Sequence, residues 1–181
     1  MSLKKILTIL TTTFISFSVF STEPVPSGYA NIKLGMSLDS TKSELQKNPD
    51  FGYHGDRDVS LIPGSNRILI ETDATKGLGS NFLNKCWFQF SDDTLYTITI
   101  NINPNKMDYY SIFTTLIEKY GEPSSLNSTS ATWKDENYTM SLEKPLTLKY
   151  IDNKKFDSLQ NYNKVPLSGT ETTRQMFLDA L

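Results

Sequence analysis

Two adjoining segments, FLNKCWFQF at 82–90 and LYTITININ at 95–103, alternate apolar and polar side chains around Asp92-Asp93. A period of two places successive side chains on opposite faces of a strand. In the first segment Cys86, Phe88 and Phe90 share one face, and Lys85, Trp87 and Gln89 the other. In the second, Tyr96, Ile98, Ile100 and Ile102 oppose Leu95, Thr97, Thr99 and Asn101. The short polar turn predicts that the two strands pair as a hairpin. A hairpin this apolar on one side must cover that side, so the rest of the chain has to supply a second layer.

Two segments are suited to that layer. SLDSTKSELQK at 37–47 carries Leu38, Thr41 and Leu45 at helical spacing, with Ser37 as N-cap and Asn48-Pro49 as terminator. KMDYYSIFTTLIEKY at 106–120 carries Tyr110, Phe113, Leu116, Ile117 and Tyr120 as an apolar stripe. Asp108 caps it or sits in its first turn, and Gly121 followed by Pro123 stops it. Short apolar runs at 58–62 and 67–72 flank Pro-Gly-Ser-Asn, a hairpin signal. ATKGLGSN reads as a loop. Three further short strands are predicted near 130–134, 137–142 and 145–151. A helix is expected over about 170–180, with Met176, Phe177 and Ala180 as its apolar strip. It docks either on the body or on a partner.

The order of elements predicts an α+β fold. Two helix-plus-antiparallel-meander units follow one another, with the helices packed on one face of the sheet. The corresponding organisation is a signal peptide at 1–21, a first α+β unit at 22–103, a second at 104–155, and a linker with a C-terminal helix or tail at 156–181. The first unit opens on an extended lead-in, TEPVPSGYAN.

Lys4 and Lys5 precede a mostly apolar run from Ile6 to Phe20, and Val19-Phe20-Ser21 offers a cleavage site. This is the pattern of a secretory signal peptide, too short and too polar for a stable membrane span. Removing those 21 residues from the 181 leaves 160, enough for one domain or two small lobes with a shared core. It also removes two lysines, so 16 basic residues face 20 acidic ones. That balance supplies no basic stripe and argues against a nucleic-acid partner. Cys86 is the only cysteine, so no internal disulfide forms. An exported chain held by its core alone points to a bacterial periplasm or outer envelope. The sequons at Asn127 and Asn137 would matter only in a eukaryotic secretory route.

LGMS before an amphipathic helix, a Pro break and then a meander resembles the small outer-membrane assembly lipoproteins, the SmpA/OmlA-like family. A tandem version of that unit resembles the β-lactamase-inhibitor-protein fold. The resemblance spans residues 31–151 as architecture and rests on Gly35-Met36-Ser37 and on Tyr120-Gly121-Glu122-Pro123 with Trp133. It departs from both: no cysteine is placed for lipid modification, and the disulfides of the inhibitor proteins have no counterpart. It implies a non-catalytic module that binds through its open sheet face or loops.

Catalytic constellations are sparse. A Cys–His pair would need Cys86, on a strand face with Phe88 and Phe90, to meet His54 in a polar loop. No nucleophile elbow is present, and one His with one Cys is too few for a zinc site. Asp56-Arg57-Asp58 near His54 is the alternative route, a small periplasmic hydrolase in which these groups converge with a second acid. No cofactor, metal or catalytic residue is assigned. The assigned binding residues are Lys85, Trp87 and Gln89, flanked by Thr97, Thr99 and Asn101 on the neighbouring strand. An aromatic among small polar residues on an open sheet face is suited to recognising another envelope or secreted protein. The competing reading covers Trp87 as core between the lobes. A third role is that of a structural envelope component docking through its tail.

Overall fold

Asp92 and Asp93 both take positive φ, 50° and 56°, as the mirror-image two-residue hairpin turn requires. They join β5 (Leu83–Ser91) to β6 (Thr94–Ile102), paired from Ser91↔Thr94 to Leu83↔Ile102. The same turn seats the first helix. The Asp93 carboxylate accepts from the Leu38 amide at 2.9 Å, at the N-terminus of α1 (Leu38–Lys47). An acid there satisfies one of the free N–H groups and complements the helix dipole.

The computed structural model describes residues 23–62, 66–76, 78–162 and 169–181. The segment read as a signal peptide lies outside the described residues, as does most of the Pro-Gly-Ser-Asn turn. Among the described residues no helix is long and apolar enough to cross a membrane.

The fold is α+β, a mostly antiparallel β-protein with a few helices. A small hairpin, β1 (Gly28–Tyr29) with β2 (Ile32–Lys33), replaces the expected extended lead-in. The main sheet adds β3 (Val59–Ile62), β4 (Arg67–Asp73), β7 (Ser125–Leu126), β8 (Ser130–Lys134), β9 (Tyr138–Glu143) and β10 (Thr147–Asp152). Its eight strands run in the order β3-β4-β5-β6-β10-β9-β8-β7. Each half is a four-stranded meander. The halves meet at their last strands, β6 and β10, where Ile100 faces Leu148 and Ile98 faces Tyr150. The two units therefore share one continuous sheet.

Read across the register, one face carries Ile70, Phe88, Ile98, Tyr150 and Met140, with Trp133 beside Met140. These residues share a single buried core with Leu45 of α1, Phe51 of the following 3-10 turn, and Leu116 of α2 (Tyr109–Tyr120). Phe51 meets Phe88 edge-on at 5.9 Å, and Phe113 meets Trp133 at 6.3 Å.

Three readings of the sequence change here. The β6 register slips between Gln89 and Phe90, so Leu95 pairs with Phe90 and enters the core. Tyr96 instead sends its hydroxyl to Gln89 Oε1 at 3.0 Å. A bulge adds one residue and swaps the faces on either side of it, which strict alternation does not anticipate. On α2, which starts at Tyr109 with Asp108 as cap, Tyr110 stays exposed. Tyr109 takes its place, stacked on Phe113 with its hydroxyl donating to the Leu142 carbonyl at 3.3 Å. Finally, α3 (Asn153–Tyr162) occupies part of the segment read as a linker. Asn153 ties it to the sheet through Thr139 (2.6 Å), and Lys155 through Asp92 (3.0 Å). The last helix, α4 (Gly169–Asp179), leaves Met176 and Phe177 exposed.

Candidate functional site

The six residues singled out on β5 and β6 lie in one block. Lys85 faces Asn101, Trp87 faces Thr99, and Gln89 faces Thr97, three consecutive same-face pairs. Alternation turns them away from Cys86, Phe88, Ile98 and Ile100. Trp87 is partly exposed and stands outside the buried core cluster. Thr99 and Asn101 are likewise partly exposed.

Register extends the block across the sheet. Glu71 of β4 faces Trp87 on one side, while Lys149 of β10 faces Thr99 on the other. Ser141 and Thr132 continue the same row. Lys85 reaches Glu71 at 3.0 Å, and that hydrogen bond raises the ammonium pKa above its usual value. Asn84 donates to Asn101 at 3.2 Å, and Asn101 to Thr147 at 3.4 Å. The face is mostly polar, with Leu69 and Ile151 beside Gln89 and Thr97 and one indole at its centre. Thr97 and Ser141 are buried, and the Thr97 hydroxyl meets no partner among the described residues.

Two elements of the alternative catalytic site meet, His54 Nδ1 lying 3.6 Å from the Asp58 carboxylate, while Asp56 turns to another partner. Asp56 pairs with Lys42 of α1 at 2.8 Å, and the contact lowers its carboxyl pKa. His54 instead lies against Asp58, whose carboxylate accepts from the His54 amide at 2.7 Å. Among the described residues, no three His, Cys, Asp or Glu side chains are grouped to hold a metal ion. Cys86 is fully buried, and burial pushes its thiol up to about 12, with the Thr72 hydroxyl opposing that in part. A thiol so placed is a structural group.

Residues 27–162 match the TP0088 domain. The chain belongs to the TP0088 domain family. The matched span runs from just before β1 through α3. The TP0088 domain therefore takes in both meanders and the helix that follows them, and it leaves α4 outside. No curated protein and no solved structure matches the chain.

Sequence reasoning missed a second feature of this domain. On the core side, a cleft of about 560 Å³ opens between the β1–β2 hairpin and α2. Leu148 and Tyr150 line it from β10, Leu83 and Ile102 from β5 and β6. Its residues come from five separate segments; strand alternation marked Ile102 and the helix stripe marked Leu116 and Tyr120, but neither pattern says that they meet. Nothing in the local pattern brings Tyr29, Tyr120 and Tyr150 together.

Proposed function

We propose that this TP0088-domain protein is a non-enzymatic binding module, exported to a bacterial envelope, that engages another protein through the face centred on Trp87. One observation supports the reading above all: Trp87 stands partly exposed between Glu71 and Thr99, in a block of polar side chains, while the core lies on the other side of its strand. Rigid aromatic anchors set among compact polar groups are what energetic centres of interfaces are made of. The reading that α1 and α2 cover only the opposite face agrees with Leu45 and Leu116 joining the core there. Export rests on the amino-terminal Lys4-Lys5 and apolar run.

The experiment is a crosslinking capture from the native envelope, wild type beside Trp87→Ala, with circular dichroism on both. Capture by the wild type and loss in the variant is the expected outcome. Equal capture by both would remove the sheet face from consideration.

A second reading draws on α4. Its Met176, Phe177 and Leu178 are exposed, an apolar strip suited to a larger assembly. Truncation after Leu167 would then abolish partner recovery while the folded body persists, and Trp87→Ala would not.

A further inference from the structure

The cleft on the core side makes three demands of an occupant. Its walls are mainly apolar: Leu83, Ile102, Met107, Ile112, Leu116 and Leu148. Its volume of about 560 Å³ falls in the range of about 300–1,000 Å³ usual for small-molecule sites. An alkyl chain or a fused ring satisfies both.

The polar groups are few and grouped. Tyr29, Tyr120 and Tyr150 all line the cleft. Tyr150 is 4% exposed, and burial raises its pKa, with Tyr120 and Tyr29 close enough to add to the shift. None of the three hydroxyls has a hydrogen-bond partner among the described residues, and none is sealed from the cleft. Tyr109, by contrast, spends its hydroxyl on the Leu142 carbonyl. Buried phenols normally find a partner. Tyr150 is the buried one, and with the partly exposed Tyr29 and Tyr120 it offers an acceptor on the ligand a cluster of donors.

Charge at the mouth fixes the sign of that acceptor. Lys33 of β2 and Lys119 of α2 both line the cleft, both are exposed, and neither makes an ion pair among the described residues. Two acids act on the phenols from outside, Glu23 on Tyr120 and Asp50 on Tyr29. Neither carboxylate lines the cleft, and its two charged lining residues, Lys33 and Lys119, are both basic on a chain that is net acidic.

We infer that this cleft binds a small anionic amphiphile, an alkyl chain ending in a carboxylate. The chain lies on Leu148, Ile102 and Leu116. The carboxylate accepts from the tyrosine hydroxyls and faces Lys33 and Lys119. The site sits where β6 and β10 join the two meanders, so its floor comes from both halves. It is separate from the Trp87 face and does not depend on the reading given for it.

The test is calorimetric titration of the purified protein with dodecanoate below its micelle concentration. Butyrate and dodecyltrimethylammonium serve as comparison ligands. Three variants follow: Lys33→Glu with Lys119→Glu, Thr115→Trp, and Trp87→Ala. Thr115 is exposed on α2 and lines the cleft, so a Trp there blocks it without entering the core. Saturable binding of dodecanoate is expected, with no binding of butyrate and none of the cationic analogue. The double Glu variant should bind about tenfold more weakly or worse, Thr115→Trp should not bind, and Trp87→Ala should bind as wild type. Far-UV circular dichroism checks that each variant is folded. Absence of dodecanoate binding to the wild type would overturn the inference. Equal binding of the cationic analogue would overturn the basic mouth, and undiminished binding to Thr115→Trp would overturn the location.

Discussion

The indole of Trp133 donates to the carbonyl of Gly121 at 2.8 Å. The second meander thus hangs from the residue that ends α2. Gly121 takes φ 75° and ψ −169°, a region open in practice to glycine alone. The chain leaves the helix sharply there, and the Trp133 ring stays buried against Phe113. The helix stop and the strand Trp are one device.

Breaking that device from either end should cost comparable stability. Trp133→Phe keeps most of the ring but leaves the Gly121 carbonyl without its donor, a loss of about 1–3 kcal/mol. Gly121→Ala forces a side chain into a glycine-only conformation, at about 1–3 kcal/mol. Urea denaturation of both singles and the double variant measures this. A double loss smaller than the sum is expected, because the two residues share one contact.

Trp87 and Trp133 should behave as opposites. Trp133→Ala empties a core position and should cost about 3–5 kcal/mol. Trp87→Ala removes a cross-strand partner of Glu71 and Thr99 and should cost about 1 kcal/mol or less. The difference in urea midpoints reads it directly. A loss at Trp87 as large as that at Trp133 would place Trp87 in the core.

The cap on α1 offers a local test. Ser37 Oγ accepts from the Ser40 amide at 3.2 Å. Ser37→Ala should destabilise by about 1 kcal/mol, and Ser37→Gly by only a few tenths. Because Asp93 also serves this helix start, Ser37→Ala combined with Asp93→Ala should lose more than either alone. Thermal unfolding followed by circular dichroism would show it.

Alkaline pH should weaken the fold through Cys86. Its thiol titrates near 9.0 when exposed and is pushed up to about 12 in the folded chain. Between these values the folded state holds a proton that the unfolded state has released. Stability from this group is therefore complete below pH 9 and falls as pH rises, by about 1.4 kcal/mol per pH unit. Buried Tyr150 adds a loss of the same sign at higher pH, since its pKa too is raised. Cys86→Ala should flatten the slope just above pH 9, whatever it does to stability at neutral pH. The native thiol should also resist a disulfide reagent at pH 8 and react once urea unfolds the chain.

Much of this fold is written locally. The alternation of Cys86, Phe88 and Phe90 against Lys85, Trp87 and Gln89 depends only on strand geometry, and it holds. So do the caps at Ser37 and Asp108 and the stop at Gly121, because each is a contact within four residues along the chain. Tyr109 against Tyr110 shows the limit. Adjacent identical residues differ by about 100° around a helix, so the choice falls to whichever packing partner is offered. Here that partner is Phe113 with the Leu142 carbonyl.

The sequence by itself determined the class of the protein, the longer strands of both meanders, its two principal helices, and the side of β5 on which Trp87 lies. These follow from periodicity and capping, which act over a turn or a few strand residues. Tertiary structure alone decided the rest. It joined two meanders into one sheet through β6 and β10, and it slipped the register at Tyr96 so that Leu95 entered the core. It also placed Tyr29, Tyr120 and Tyr150 around a common cleft. Each of those outcomes pairs residues far apart in the chain, and hydrophobic burial, being non-directional, leaves no local mark of which distant surface a side chain will meet.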